Sequence, residues 1–506
     1  MGIVFAFWMA GARPAAAASF AMVDPVPALL NGPAVTTDIA TLATGGAAVS
    51  GVAAEGVAEM VLRVNASAVG ENFTFSVIND QNQPSTSIDD DGALGAIGAA
   101  PIDQSAVTVA SVTTGAGPMA FVIYRAPLDF ARAGGGDDTL TRRAVTIQWT
   151  AANGADSGST PVAIVRPPVA LVHGLWGAPS DWNNFGPLYS AAGSDPRFAI
   201  RTADYSFAIG GSLATTTPAY DIVSGAKANS LGFVYNAGQV AQQIDSFIAS
   251  FKTGSNPAAI AVAAVQADVV GHSMGGDVTR TMPLLESFAS ATTFGQGNVH
   301  KLITVDTPHL GSPLAIQLLL NDNECVRGAL ALDDLYSFQS VTVYELNLTI
   351  SGAMGDLSGD GGGEALSAAL AAMQAGSTIP IFTPQIPTAY IAGVMSQTQL
   401  NDLTTNPTTT EDFLTYWCSS DPLAKDLTPQ NWPKLLSAKS DAIVPYTSQV
   451  NNGAPATTPA AAVHSGGAET LGFGAPDALD SVTGNPTEVI SLLNTPLTDA
   501  VWTVLR

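Results

Sequence analysis

Residues 267 to 276 read ADVVGHSMGG, an apolar run that ends in a serine held between glycines. In the pattern G-x-S-x-G the serine occupies a tight strand-to-helix bend with unfavourable backbone angles, and its hydroxyl projects into a cleft. Bulky neighbours would clash at such a bend, which accounts for Gly271 and Gly275. A strand-like run precedes Ser273, and the helix-compatible MGGDVTRTMPLLESF follows it. A helix starting there aims its first amides and its positive dipole end at developing negative charge. The chemistry open to Ser273 is nucleophilic attack with a covalent intermediate. The plainer reading is an incidental glycine turn, and the strand and helix patterns on either side weigh against it.

A serine hydroxyl is a poor nucleophile without a base that is itself held by an acid. On a parallel α/β scaffold these residues follow in the order serine, acid, histidine. The chain has five histidines: His173, His272, His300, His309 and His464. The first two do not follow the serine, and His300 and His309 leave little chain for an intervening acid. His464, in the loop AAVHSGGAE, is therefore the expected base. Asp441, in LLSAKSDAIVPYTS, is the expected acid, with Asp421 in SSDPL and Asp306 in TVDTPHLGS as alternatives. Asp306 follows a strand directly, but the residues after it read as a structural corner. An oxyanion needs about two backbone donors, each worth roughly 3 kcal/mol in the transition state. The amide of Met274 is one. The other is that of Leu175, in the loop after VALVHG, where Gly174 lets the backbone turn. His173 is expected to orient this loop by hydrogen bonding. Trp176 is a candidate substrate contact. With Trp182, Phe185 and Leu188 it either forms an apolar entrance suited to acyl chains or packs the loop.

These side chains need elements to hold them. From about 20 to 165 there is no convincing helical period. Short alternating runs such as EMVLRV, FTFSVI, MAFVIY and AVTIQWT are separated by turn clusters, and this predicts an all-β, immunoglobulin-like sandwich. NGADSGSTP reads as a linker. From 166 onward strand-like and helical runs alternate, which predicts an α/β domain with a mostly parallel sheet. A helix is expected over Asn236–Lys252, with Asn236 as its N-cap and Val240, Ile244, Phe247, Ile248 and Phe251 on one face. Ligands bind at the carboxyl ends of such strands, where Ser273 falls. Residues about 315–385 read as an insertion, either a cap over a pocket or a surface excursion. Its Asp356, Asp360 and Glu364 lack EF-hand spacing.

The 506 residues allow two or three domains. The formal net charge of -24, from 18 basic against 42 acidic residues, leaves no basic stripe for nucleic acid or an anionic membrane. The acidity reads as solubility, with specific calcium binding as the sharper alternative. The start, MGIVFAFWMAGARPAAAAS, pairs an apolar stretch with a small-residue cleavage site. A signal peptide over residues 1–19 and a secreted or periplasmic location are expected, although the segment lacks the usual basic start. No later run reaches the ~20 apolar residues of a membrane span. Cys325 and Cys418 suit one disulfide or two buried thiols, and neither a zinc site nor a redox motif. Nothing in the sequence sets an oligomeric state.

VALVHGLWG, ADVVGHSMGG, LITVDTPHLGSP and SDAIVP followed by a histidine resemble, in this order, the α/β-hydrolase superfamily. They are most similar to its bacterial lipase and esterase branch and to GPI-inositol-deacylase-like proteins. The resemblance covers about residues 166–506 and leaves the β-rich region outside. It implies the α/β-hydrolase fold, a triad at Ser273, Asp441 and His464, and an oxyanion hole at Leu175 and Met274. It implies hydrolysis of an ester or lipid substrate, as a lipase, carboxylesterase or polyester hydrolase, with no cofactor. Amidase, thioesterase and acyltransferase activities use the same machinery, and a non-catalytic surface-binding protein is the reading from another class. Some related lipases carry a structural calcium near the histidine loop, but no diagnostic ligand set is present here.

Overall fold

The computed structural model describes residues 19–134, 136–154, 156–175, 177–183, 185–190, 192–207, 228–313, 315–316, 341–343, 348–350, 352–363, 366–376, 386–394, 396, 439–441, 443–453, 456–460, 464 and 486–497. Residues 1–18 of the expected leader, Trp176, Glu364, Asp421, Cys325 and Cys418 lie outside these.

The short alternating runs of the first part form strands. Asn72–Ile78 turns Phe73, Phe75 and Val77 inward, and Arg142–Ala151 does the same with Val145, Ile147 and Trp149. This is the period of two that a sheet with one solvated face requires. One sheet runs Val112–Thr114, Gly117–Arg125, Glu59–Asn65, Phe20–Asp24, Ala47–Ala48, with Ala93–Ala96 also on Gly117–Arg125. The other contains Gly51–Ala53, Ser157–Val165, Arg142–Ala151, Asn72–Ile78 and Ala106–Ala110. Met60, Leu62, Val122 and Tyr124 of the first sheet share a core with Phe73, Phe75, Ile147 and Val162 of the second. NGADSGSTP is not a linker. Its end opens the strand Ser157–Val165, paired with Arg142–Ala151 from Thr150 opposite Ser157 to Arg142 opposite Val165. Its small polar residues occupy the part of the strand nearest solvent, where strand formation needs no apolar side chains.

The second part is built on a six-stranded, wholly parallel sheet. Its strands are β1 (Val169–Val172), β2 (Ile200–Thr202), β3 (Ala267–His272), β4 (Val299–Val305), β5 (Thr388–Gly393) and β6 (Ala456–Ala460), in the order β2-β1-β3-β4-β5-β6. β1, β3 and β4 are buried along their whole length, as expected for strands covered on both faces. Helix α1 (Phe233–Lys252) lays Val240, Ile244, Phe247, Ile248 and Phe251 against the sheet. It opens one turn earlier than expected. Asn236 is not its cap but a buried residue of the first turn whose Nδ2 donates to the Asn229 carbonyl at 2.9 Å. The free amide of Phe233 is met instead by Asp356 Oδ2 at 2.8 Å, a cap supplied from a distant part of the chain. Ala353, Leu357, Leu370 and Met373 belong to the same core as α1, so the described parts of 315–385 include packed structure.

The two parts are joined by more than the chain. Val262–Ala263, just ahead of β3, adds to the edge of the N-terminal sheet, parallel to Gly51–Ala53. Gly51–Ala53 is also parallel to Ser157–Val165. The expected immunoglobulin-like order does not include this parallel, shared edge. Buried Lys301 on β4 pairs with Asp129 at 2.9 Å, and His300 Nε2 donates to the Leu128 carbonyl at 2.9 Å. Glu55 Oε1 accepts the Val265 amide at 2.6 Å, while its Oε2 is buried without a hydrogen-bond partner among the described residues.

Burial pushes the Glu55 carboxyl well above its ordinary 4.5, and the amides of Val265 and Gln266 oppose this only in part. The raised value means that the fold keeps the proton, so the associated stability is complete below 4.5 and is lost as pH rises towards the shifted value. Glu55→Gln preserves the shape and the acceptor without the charge. It is expected to melt at a higher temperature than the parent at about pH 8 and at no higher temperature at about pH 4. Thermal denaturation followed by circular dichroism at the two pH values checks this, and a variant no more stable at the higher pH would contradict it.

Candidate active site

β3 ends at His272 and helix α2 (Met274–Thr281) begins one residue later, with Ser273 as the bend between them. Ser273 has φ 53° and ψ -132°, a conformation that side chains rarely adopt. Tight packing on all sides keeps it there. A Cβ on Gly275 would lie 2.3 Å from the Val172 carbonyl oxygen, and one on Gly174 would lie 2.7 Å from Ser273 Cβ and 3.1 Å from its Oγ. The loop after β1 therefore runs directly against the serine. Because α2 starts at Met274, the Met274 amide has no partner within the helix. Leu175 follows Gly174 on the adjoining loop. His173 Nδ1 donates to the Gly174 carbonyl at 3.0 Å, its ring stacks on Tyr205 at 4.1 Å, and the Tyr205 hydroxyl donates to the His173 carbonyl. These contacts fix the loop's orientation.

His464 Nε2 lies 2.8 Å from Ser273 Oγ, and His464 Nδ1 lies 2.7 Å from Asp441 Oδ2. The three side chains that sequence order selects thus form one hydrogen-bonded chain. Asp441 is fully buried, and its Oδ1 accepts the amides of Ile443 at 2.9 Å and Val444 at 2.6 Å. With His464 Nδ1, three donors converge on this one carboxylate. The acid loop is stitched to the sheet by residues that carried no sequence signal. Gln449 Nε2 donates to the carbonyls of Gly393 and Val444, and Ser448 Oγ donates to the Gly311 carbonyl and accepts the Leu310 amide. Ser312 Oγ donates to the Ile443 carbonyl at 2.6 Å.

The remaining candidates fall elsewhere. Trp182, Phe185 and Leu188 are buried in a core cluster with Val270, Ile303 and Ile391. The entrance reading is corrected for these three, which are too well enclosed by the sheet to meet an acyl chain. His309 accepts from Arg280 at Nδ1, 2.8 Å away, and both burial and Arg280 hold its pKa well below the ordinary value. Nearby Asp277, 3.3 Å from that nitrogen, is pushed well up by burial, which Arg280 opposes. His272 donates from Nε2 to the His464 carbonyl at 3.1 Å, and burial, with His464 beside it, keeps its ring neutral. His272, Asp306 and His464 place one ligand-type atom each within 4.8 Å of one another. Both ring nitrogens of His464 and the Nε2 of His272 are already engaged, so this group does not fit a cation.

Residues 258–341, which span β3, the serine bend, α2 and β4, match the PGAP1-like alpha/beta domain family. The match assigns the α/β part of the chain to the α/β-hydrolase superfamily. Among solved structures this α/β-hydrolase is similar to the mature Bacillus licheniformis lipase BlEst2, with 13% identity over 65% of this chain and 92% of that one and a TM-score of 0.32. It is also similar to a family 123 glycoside hydrolase from Clostridium perfringens, with 11% identity over 33% and 32% of the two chains and a TM-score of 0.18. A third similarity is to the CooA pilin subunit of enterotoxigenic Escherichia coli, with 15% identity over 22% and 79% and a TM-score of 0.14. Overlaps this low carry no argument about the hydrolase. No curated protein sequence matches it.

In this hydrolase a methyl group at residue 174 would displace the serine. Gly174→Ala is expected to slow covalent labelling of Ser273 by a fluorophosphonate about 100-fold, the cost typical of a misplacement near 1 Å. Far-ultraviolet circular dichroism should be unchanged. Labelling at the parental rate would contradict the close approach.

Proposed function

We propose that this α/β-hydrolase cleaves carboxylic esters through an acyl-enzyme on Ser273. The observation that carries the reading is the continuous hydrogen-bonded chain from Ser273 Oγ through both nitrogens of His464 to Asp441 Oδ2. His464 Nε2 takes the hydroxyl proton as Oγ attacks the ester carbonyl carbon, and the carbonyl π electrons move onto oxygen. The amides of Met274 and Leu175 receive that oxyanion, and the positive end of α2 adds to them. When the intermediate collapses, the C–O bond to the alcohol breaks and the alcohol leaves with the proton from His464. Water then attacks the acyl-enzyme by the same route in reverse, giving the acid and restoring Ser273. Asp441 keeps the imidazole in the tautomer that leaves Nε2 free to accept, and it stabilises the cation that forms.

The substrate class proposed is an ester or lipid. The β-rich N-terminal part serves as an accessory domain. The apolar start and small-residue run support export. No helix among the described residues is long and apolar enough to cross a membrane.

Nitrophenyl esters of rising chain length test the proposal. Ser273→Ala and His464→Ala are expected to lose turnover to the level of buffer. Asp441→Asn is expected to lower kcat about 10⁴-fold, because the imidazole then sits in the wrong tautomer. Preference for long chains indicates a lipase and for short chains a carboxylesterase, whereas turnover of anilides or thioesters alone would redirect the reading to an amidase or thioesterase. Equal turnover by the parent and Ser273→Ala would remove Ser273 from the reaction.

A further inference from the structure

Near His464 two buried polar atoms lack a hydrogen-bond partner among the described residues, and they are complementary. A carbonyl oxygen only accepts, so the contact of His272 Nε2 with the His464 carbonyl places the ring proton on Nε2. Nδ1 of His272 is then a bare acceptor, buried and without a hydrogen-bond partner among the described residues. Asp306 follows β4 in the left-handed region, with φ 54°. It is 1% exposed, its Oδ1 accepts the Gly393 amide, and its Oδ2 is buried without a partner among the described residues. One Asp306 oxygen and one ring nitrogen each of His272 and His464 lie within 4.8 Å of one another. Among the described residues, the other titratable groups that act on this cluster are Asp441, bonded to His464, and His173, which acts on His272.

Two carboxyl groups beside one imidazole are not readily ionised together in a buried site. Among the described residues Asp441 has three donors, two amides and His464 Nδ1, whereas Asp306 has the Gly393 amide alone. Asp306 is therefore the carboxyl less able to hold a negative charge. Burial, and then the Asp441 charge, push the Asp306 carboxyl well above its ordinary range. A neutral Asp306 has an O–H to give, and His272 Nδ1 is the acceptor that lacks one.

We propose that Asp306 and His272 form a second, uncharged Asp–His pair that positions the His464 loop. The Asp306 Oδ2 proton is donated to His272 Nδ1, directly or through one water, and His272 Nε2–H holds the His464 main-chain carbonyl. Asp441 orients the ring of His464, and the second pair fixes the backbone that carries it. Both members are positioning residues. The inference rests on the reading of His464 as the base.

Infrared difference spectroscopy of the whole chain, parent minus Asp306→Asn, tests it without reference to turnover. At neutral pH the parent should show a protonated-carboxyl C=O band that the variant lacks. Nitrogen NMR should find His272 as the Nε2–H tautomer, with an Nδ1 resonance that shifts in Asp306→Asn. Asp306→Asn supplies an N–H donor in the same place without charge, and its kcat should stay within about 3-fold of the parent. Asp306→Ala and His272→Phe should lower kcat about 10-fold or more at unchanged KM, as loss of positioning does. An absent band, or an Asp306→Asn variant as inactive as Asp441→Asn, overturns the pair, the second result by showing that Asp306 acts as a charge. If Asp306→Ala does not fold, the infrared and NMR measurements on the isosteric Asn variant still decide. Turnover by Ser273→Ala would defeat the ester reading and leave the infrared result standing.

Discussion

Backbone segments around Ser273 approach one another more closely than any side chain would permit, and the rest of the site is arranged around that contact. The carbonyl of Val172, the loop at Gly174 and the first turn of α2 converge on one residue in a strained conformation. Strain of this kind costs on the order of 1–3 kcal/mol and persists only where the surroundings over-determine it. Here the buried strands β1, β3 and β4 supply that rigidity, since a core packed at crystal-like density does not relax to relieve one residue. The hydroxyl is held where a nucleophile would be needed, and the start of α2 lies beneath it.

The imidazole is positioned differently. It arrives on a loop rather than a strand, and its accuracy depends on polar contacts. Gln449, Ser448 and Ser312 tie the acid loop to β5 and to the corner after β4, and Asp441 is gripped by two amides. In a low-dielectric interior such bonds are strong when complete and costly when one member is lost. The loop is thus rigid by satisfaction of donors and acceptors, while the serine bend is rigid by packing.

The serine bend, the order of the three side chains and the face of α1 were legible because each rests on a local rule: glycines at a tight turn, a fixed chain order, and a period near 3.6 for Val240, Ile244, Phe247 and Phe251. What was not legible depends on distant partners. The cap of α1 is Asp356, so the local signal at Asn236 pointed one turn too far along. Trp182, Phe185 and Leu188 look the same in sequence whether they line an entrance or fill a core, and only the position of β3 and β4 separates the two. NGADSGSTP has the composition of a tether, yet its end is a strand because Arg142–Ala151 lies alongside to pair with it. Gln449 and Ser448 had no signature, since a residue that accepts and donates to backbone is recognised only once that backbone is in place.

The short strand Val262–Ala263 closes the edge of a sheet whose other members were all made earlier along the chain. During synthesis the N-terminal part therefore emerges with Gly51–Ala53 unpaired on one side, and stays so until about 100 more residues have followed the last of its own strands. An unpaired edge of this kind is a template for contact with other chains. The order in which the ribosome delivers the two parts thus sets an interval of exposure that ends only when the polypeptide reaches the threshold of β3.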